Sequence, residues 1–123
     1  FGEAEARAGM GLGNQRGQEM VRRLAERSDV LIENFSPGVL ERWGLAPGVL
    51  KAANPRLVIA RISGYGQDGP YASKPGFASV CEGISGFRYL NGFPGEAPVR
   101  PNLSMGDTIA GLVEHLVSHR AGS

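Results

Sequence analysis

The sequence predicts an α/β fold built around a Rossmann-like βαβ unit. Two short apolar runs, at residues 30–32 and within residues 56–64, are typical of buried parallel strands. A stretch with helical patterns and turn signals separates them, and parallel strands need such a crossover connection. Because a doubly wound sheet has more than two strands, we expect the chain to be an internal segment of a larger α/β protein.

Composition excludes several classes of function. The 123 residues include 13 Lys and Arg and 12 Asp and Glu, so the charge balance gives no electrostatic reason to expect nucleic acid or membrane binding. A hydrophobic content of 41% is enough for a core, and no apolar run has the length of a transmembrane helix. The lone Cys81 cannot form an internal disulfide, which is typical of a reducing cytosol, so we expect a cytoplasmic protein.

The chain begins with a glycine-rich stretch that lacks helical periodicity. We interpret residues 1–16 as an irregular lead-in and residues 17–123 as an internal α/β segment. A first helix is predicted from Gln18, because apolar side chains recur at helical spacing up to Ala25. The first apolar strand follows this helix.

Two short helices are predicted between the strands. The first begins at Pro37 and stops at Gly44, since Pro is favoured in the first helical turn and Gly just after the last. The second covers residues 47–53, and Asn54 followed by Pro55 ends it.

The second strand leads into a long loop and two further helices. Residues 63–76 are rich in Gly and Pro, and loops of this length are often functional. One helix is predicted from Phe77 to about Tyr89, and a last one from Asp107 to His119. By local rules, the carboxylate of Asp107 at this helix entrance is an N-cap.

Other candidate sites have simpler interpretations. His115 and His119 lie four residues apart, but "HLVSH" lacks the glutamate of a zinc protease motif, so we expect surface histidines and no metal site. The "GYGQDG" stretch lacks the spacing of a phosphate-binding loop. No base lies near Cys81 in the sequence, which favours a buried structural thiol over a nucleophile.

Four segments, in order, resemble the family III CoA-transferases, the group of formyl-CoA, crotonobetainyl-CoA and succinyl-CoA-dependent enzymes related to α-methylacyl-CoA racemase. They are "SDVLIENFSPGVLERWGL", "NPRLVIARISGYGQDGPYASKPG", "GFRYLNGFPGEAPVR" and "MGDTIAGL". The resemblance extends over residues 17 to about 117. It implies a segment of the large domain of such a transferase, and the third segment looks most like members that use dicarboxylic acids.

The resemblance implies that Asp107, in the "GD" motif, is the catalytic nucleophile. Its carboxylate would attack an acyl-CoA thioester, form a mixed anhydride and then an aspartyl-CoA thioester. A helix N-terminus would favour the charged carboxylate, and Ser104 could then supply the helix cap. Gly106 would leave room for the thioester to approach.

The resemblance also implies a CoA-binding role for Asn34, Phe35 and Arg42. Asn34 and Phe35 match an "ENF" motif that contacts CoA, and Arg42 matches an arginine that contacts its phosphates. A loop-capping Asn, a core Phe and a solvated Arg are the structural alternatives. A loop that resembles an active-site segment, or equally a structural turn, contains Tyr65, Gln67 and Gly69.

One departure from the family pattern bears on the reaction. Phe77 stands where the related racemases carry a histidine, and racemisation needs an acid and a base on opposite faces of the α-carbon. Transfer is therefore favoured over racemisation, although an acyl-CoA racemase or isomerase and a non-catalytic CoA-binding fragment stay as alternatives. Ser36 replaces a basic residue often found in the family.

The resemblance implies partners as well. Coenzyme A and acyl-CoA are expected as substrates, with no tightly bound cofactor, and a small carboxylic acid is expected as the second substrate. Family members form interlocked homodimers, and for the family the mitochondrial matrix is an alternative to the cytoplasm. We expect the isolated 123 residues to have little or no activity.

Overall fold

A computed structural model describes residues 11–121, with the side chains of residues 11–119. Two strands and six helices follow one another along this part of the chain. In chain order they are α1 (Gln15–Ala25), β1 (Val30–Glu33), α2 (Val39–Arg42), α3 (Pro47–Ala53), β2 (Val58–Arg61), α4 (Ala78–Ile84), α5 (Phe87–Leu90) and α6 (Met105–Ala121). The first ten residues of the predicted lead-in lie outside the described residues.

Helix α1 begins at Gln15, earlier than the predicted start at Gln18. Asn14 caps it, because its side-chain oxygen accepts a hydrogen bond from the Gly17 N–H at 2.9 Å. A Cβ on Gly17 would collide with the carbonyl of Gly11, so glycine permits a close backbone approach here. A cap made by one side chain starts the helix before its apolar periodicity begins.

The two strands pair in parallel, which confirms the predicted βαβ unit and the α/β fold. The register runs from Val30 opposite Val58 to Glu33 opposite Arg61. Helices α2 and α3 lie in the crossover between the strands. The helix predicted for residues 47–53 has the predicted bounds, Pro47–Ala53.

The strands are half-buried, so the expectation of fully buried strands is wrong. Leu31 and Ile59 pack against the core, but Ile32 is 60% exposed. Successive side chains of a strand point to opposite faces, and helices pack on the face that carries Leu31. Apolar composition alone did not reveal this one-sided burial.

A small core lies between the sheet and the first three helices. Its members are fully buried hydrophobic side chains, namely Ala25, Leu40, Leu45, Leu50 and Leu57. Polar contacts join the helix ends around this core. The side-chain Nδ2 of Asn54 donates hydrogen bonds to the carbonyls of both Ala25 and Ser28, each at 2.9 Å. The crossover is thereby attached to the end of α1.

Helix α2 is shorter than predicted. It begins at Val39 and not at Pro37, because Gly38 has a φ of 86°, a left-handed conformation that a helix does not accept. Gly44, with a φ of 67°, follows the helix as predicted.

The helix predicted over residues 77–89 is two helices, α4 and α5. Gly86 lies between them with a φ of 77°, which breaks the helical path and turns the chain. Helix α4 packs against both α5 and α6, and α6 also contacts β2. These contacts bring the second half of the chain to the sheet.

Helix α6 begins at Met105, before the predicted start at Asp107. The carbonyl of Ser104 accepts the Thr108 N–H at 3.0 Å, so Ser104 occupies the N-cap position. Asp107 is therefore a residue of the first helical turn, and its interpretation as the N-cap is wrong. Within residues 11–121, no helix has both the length and the apolar character that crossing a membrane requires.

Candidate active site

A cleft of about 560 Å³ opens where the two strands end. Asn34 follows β1, Ile62 and Ser63 follow β2, and all three lie in its wall. The rest of the wall comes from the two ends of the long loop, from helix α4, from Phe87 of α5 and from the first part of α6. The carboxyl edge of a parallel sheet is the usual place for a ligand in α/β proteins, so this cleft is the candidate site.

Asp107 faces this cleft from the first turn of α6. It is exposed, and no side-chain hydrogen bond or ion pair engages its carboxylate within residues 11–121. The free N–H groups and the dipole of a helix N-terminus favour negative charge at this place. The arrangement presents an available carboxylate to a ligand in the cleft.

Gly106, in the first turn of α6, lies beside Ala78 of α4. A Cβ placed on Gly106 would lie 3.8 Å from the Cβ of Ala78, which is an ordinary contact distance. Both residues line the cleft beside Asp107. The role of Gly106 in leaving room for a thioester stays a prediction.

A buried ion network supports the turn after β1. Glu33 and Arg61 are opposite each other in the sheet register, and Arg61 Nε donates to Glu33 Oε1 at 2.7 Å. The other oxygen of Glu33 accepts the N–H of Phe35 at 2.7 Å. Arg61 Nη1 also pairs with Glu41 of α2 at 2.9 Å. Because both oxygens of Glu33 are engaged, the backbone on either side of Asn34 is held in place.

The charges in this network favour one another. A hydrogen bond with its own backbone N–H, and then the hydrogen bond from Arg61, lower the pKa of Glu41. Burial disfavours the charged form of Arg61, but its hydrogen bonds to Glu33 and Glu41 outweigh this effect and raise its pKa. Arg61 and Glu41 thus favour each other's charged form beside the strand ends.

The structure brings only two of the four predicted site residues to the cleft. Asn34 and Asp107 line it. The Phe35 ring packs edge-on against Trp43, with ring centroids 5.2 Å apart, and Arg42 is an exposed residue at the end of α2. Neither Phe35 nor Arg42 is part of the cleft wall. Their CoA contacts stay predictions, for a ligand that would extend beyond the cleft.

The middle of the long loop lies away from the cleft wall. Tyr65 packs edge-on against Tyr71, with centroids 5.7 Å apart, and Lys74 lies 4.1 Å over the Tyr71 ring. Gln67 Nε2 donates to Ser63 Oγ at 3.4 Å, and Gly69 has a φ of 95°. These contacts favour the structural-turn interpretation of this loop.

The two ends of the same loop meet at the cleft. A Cβ on Gly64 would collide with the Cα of Gly76, and a Cβ on Gly76 would collide with the Cα of Gly64. Both glycines line the cleft. Because both residues lack a side chain, the two ends of the loop can approach each other closely here, at a point that is also part of the cleft wall.

Helix α4 and the residue before it contribute several residues to the cleft wall. Phe77 is 75% exposed and lies in the wall. Cys81 is half-buried, and its thiol donates to the Gly64 carbonyl at 3.3 Å. The expectation of a buried thiol is therefore wrong in degree, because one side of Cys81 faces the cleft.

Glu82 is a cleft residue that the sequence did not reveal. It is only 6% exposed, and its Oε2 accepts hydrogen bonds from both Nε and Nη2 of Arg88 at 3.1 Å. In one continuous helix, residues six apart lie about 240° apart around the axis and do not meet. The break at Gly86 makes the pair possible, so sequence spacing contained no signal for it.

The two histidines near the end of α6 contact each other through their rings. The rings of His115 and His119 lie edge to face, with centroids 6.2 Å apart. In the part of the chain that the structure describes, no three His, Cys, Asp or Glu side chains group closely enough to hold a metal ion.

Comparison with known proteins identifies the family of this chain. The sequence model of CoA-transferase family III matches residues 7–116. The chain is 51% identical over 102 residues to the alpha subunit of succinyl-CoA–L-malate CoA-transferase from Chloroflexus aurantiacus, which covers 82% of this chain and 24% of that protein. It is 48% identical over 94 residues to succinyl-CoA–D-citramalate CoA-transferase from the same organism, which covers 76% of this chain and 23% of the relative.

Solved structures give the same result. A crystal structure of a CAIB/BAIF family protein from Brucella suis superposes with a TM-score of 0.87 at 36% identity, covering 91% of this chain and 30% of that one. The chain spans about a quarter of the length of the curated relatives it matches. The predicted family is confirmed, and the chain belongs to CoA-transferase family III.

Proposed function

We propose that the protein moves CoA from an acyl-CoA to a carboxylic acid, with Asp107 as the covalent nucleophile. One observation carries this proposal: an exposed carboxylate without a side-chain partner in residues 11–121 faces the cleft at the strand ends, inside the region that matches the family. A carboxylate is suited to the reaction because its anhydride is about as activated as a thioester.

The first half of the reaction loads CoA onto the enzyme. A carboxylate oxygen of Asp107 attacks the thioester carbonyl, the carbon–sulfur bond breaks, and CoA leaves as a thiolate. The thiolate then attacks the Asp107 carbonyl of the mixed anhydride and releases the donor acid as its carboxylate. The product of this half is an aspartyl-CoA thioester.

The second half runs the same steps in reverse with the acceptor. The acceptor carboxylate attacks the aspartyl thioester, which releases the CoA thiolate and leaves a mixed anhydride. The thiolate attacks the acceptor carbonyl, and the electron pair of the breaking bond returns to Asp107. No proton is gained or lost in the cycle, so the site needs no general acid or base.

The surroundings of Asp107 support this chemistry. The N–H groups in the first turn of α6 are donors that can stabilise the oxyanion of each tetrahedral intermediate. Gly106 and Ala78 leave room for the thioester. Asn34 in the cleft, together with Phe35 and Arg42 outside it, would bind the longer CoA moiety.

The relatives suggest substrates and partners. Two of them are named for succinyl-CoA as donor and for L-malate or D-citramalate as acceptor, so we assign a dicarboxylic acid to the acceptor site. We expect no tightly bound cofactor, and a cytoplasmic location. A dimer is expected, as an interlocked homodimer or, as the relative's designation as an alpha subunit suggests, with a second kind of chain.

Phe77 speaks against racemisation at this site. Its phenyl ring lies in the cleft wall and can neither remove nor deliver a proton. The proposed transfer needs no proton carrier there. Absence of solvent deuterium exchange at the α-carbon of a bound acyl-CoA would agree with transfer, and rapid exchange would contradict it.

Trapping the covalent intermediate tests the proposal. The complete protein is incubated with succinyl-CoA, treated with hydroxylamine or borohydride, digested and analysed by mass spectrometry. We expect the modification on the peptide that contains Asp107, and none after incubation with free CoA. A modification at another residue, or at none while CoA transfer proceeds, would contradict the nucleophile assignment.

A further inference from the structure

Glu82 lies on the same face of α4 as the small residue beside the nucleophile. Ala78 lies beside Gly106 at the start of α6, since a Cβ added to Gly106 would be 3.8 Å from the Ala78 Cβ. Glu82 follows Ala78 by one helical turn, about 6 Å along the axis. Ala78, Glu82, Gly106 and Asp107 all line one cleft. The cleft therefore holds a second carboxylate, for which the proposed transfer has no use.

The two oxygens of Glu82 differ in their partners. Arg88 donates hydrogen bonds from Nε and from Nη2 to Oε2, at 3.1 Å each. Oε1 is buried, and no group among the described residues donates a hydrogen bond to it. A buried carboxylate oxygen without a donor is unusual in proteins, since such atoms are nearly always paired. The side chain is 94% buried and lies in the wall of the cleft, so a ligand in the cleft can supply a donor to Oε1.

Few groups on the substrates of a CoA-transferase can be that donor. The reacting carboxylates and the thioester have no N–H or O–H to donate. The negative charge of Glu82 also repels the substrate carboxylates. The remaining donors are a hydroxyl group on the acid and, on CoA, the amide N–H groups, the hydroxyl groups and the adenine amino group. Both relatives reported above are named for acceptors with a hydroxyl on the carbon chain, L-malate and D-citramalate.

We propose that Glu82 selects the acceptor by accepting a hydrogen bond from the hydroxyl group of a hydroxy-dicarboxylic acid. Arg88 holds the carboxylate through Oε2 and offsets its charge, which leaves Oε1 for the hydroxyl. This inference rests on the proposed transfer and adds a specificity residue to it. A site built to bind a hydroxyl discriminates strongly against an analogue without one, because its buried acceptor is then unpaired.

The test compares two acceptors that differ only in the hydroxyl group. With succinyl-CoA as donor, kcat/KM is measured for L-malate and, by exchange of isotope label, for succinate. The complete protein is compared with Glu82→Met, Glu82→Gln and the control Glu96→Met, which removes an exposed carboxylate outside the cleft wall. Circular dichroism and the unfolding midpoint establish which variants are folded.

We expect Glu82→Met to lower the ratio of kcat/KM for malate to that for succinate by about ten- to a hundredfold. Glu82→Gln, which keeps an acceptor for Arg88, lowers the ratio in the same direction by a smaller factor, and it carries the test if the methionine variant does not fold. Glu96→Met leaves the ratio unchanged.

The other outcomes distinguish the proposed role of Glu82 from the proposed CoA transfer. Equal losses for both acids with a raised KM for succinyl-CoA would assign Glu82 to a donor on CoA and overturn the selection of a hydroxyl. An unchanged ratio with unchanged constants would make Glu82 a structural residue and would overturn it as well. Absence of CoA transfer in the wild-type complete protein would overturn the proposed function itself.

Discussion

The two halves of the described chain bury apolar surface to very different extents. Every buried hydrophobic side chain among residues 11–121 lies between Ala25 and Leu57. The second half, from residue 77 onward, exposes many large apolar side chains, such as Phe77, Phe93 and Leu116, at 75%, 78% and 65%. The first half therefore has its own hydrophobic core. The second half contributes the cleft residues Asp107 and Glu82 and buries little apolar surface among the described residues.

The two halves therefore contribute differently to stability and to function. The sheet, its three helices and the Glu33–Arg61 pair hold the strand ends in place. Asp107 and Glu82 reach those ends from helices that contribute no buried hydrophobic side chain within the described residues. Substitutions in the two halves should accordingly separate loss of activity from loss of folding.

The largest effect is expected for Asp107→Asn. Without a nucleophilic carboxylate, no anhydride forms, and CoA transfer by the complete protein should fall at least about a thousandfold. The free energy of unfolding should change by less than about 1 kcal/mol, because the side chain is exposed and loses only its interaction with the helix dipole. Asp29→Asn, another exposed aspartate, serves as the control and should retain activity. Near-normal transfer by Asp107→Asn would contradict the assignment of the chemistry to the second half of the chain.

Leu50→Ala should show the opposite behaviour. Leu50 is completely buried in the core, and truncation of a buried leucine costs about 2–5 kcal/mol of unfolding free energy. At a temperature where the variant is folded, its kcat should be close to that of the wild type. Val49→Ala, on the same helix but 45% exposed, should cost less than about 1 kcal/mol. Urea unfolding monitored by circular dichroism measures both, and equal losses would mean that the core boundary is misplaced.

Gly64→Ala should affect both properties, since this residue lies where the halves meet. The new Cβ collides with the Cα of Gly76, so the backbone must shift, at a cost of about 1–3 kcal/mol. Because both glycines line the cleft, transfer activity should also fall. Gly83→Ala is the matched control: it has open space in helix α4, and it should stabilise by about 0.5–1 kcal/mol. Thermal unfolding and transfer kinetics are measured for both variants. A Gly64→Ala variant with unchanged stability and activity would contradict the close approach of Gly64 and Gly76.

The smallest effect is expected for the outer member of the ion network. The pKa of Glu41 is lowered below its ordinary 4.5, so its contribution to stability is present above pH 4.5 and is lost as the pH falls through the lowered value. Glu41→Gln should therefore reduce stability by less than about 1 kcal/mol at pH 7, because the side chain is partly exposed. Below the lowered pKa, wild type and variant should converge. Urea midpoints against pH measure this, with Glu26→Gln as an exposed control, and a constant difference across the range would contradict it.

Much of the first half was predictable, because local signals and tertiary structure agree there. The helix over residues 47–53 has Pro at its start and Asn-Pro at its end, and the structure keeps those bounds. The parallel pairing followed from two apolar runs and a crossover of sufficient length. In the second half, one predicted helix over residues 77–89 became two, since the conformation of a glycine is not readable from helical periodicity.

The family, the parallel βαβ unit and the candidate nucleophile were predictable from the sequence alone, because motif order and apolar runs are local properties. Tertiary structure decided which of these residues meet. It placed Asn34 with Asp107 in one cleft, left Phe35 and Arg42 outside it, and made Glu82 a partner of Arg88. The physical reason is that packing and the left-handed turn at Gly86 set distances between residues far apart on the chain, and spacing along the chain does not contain them.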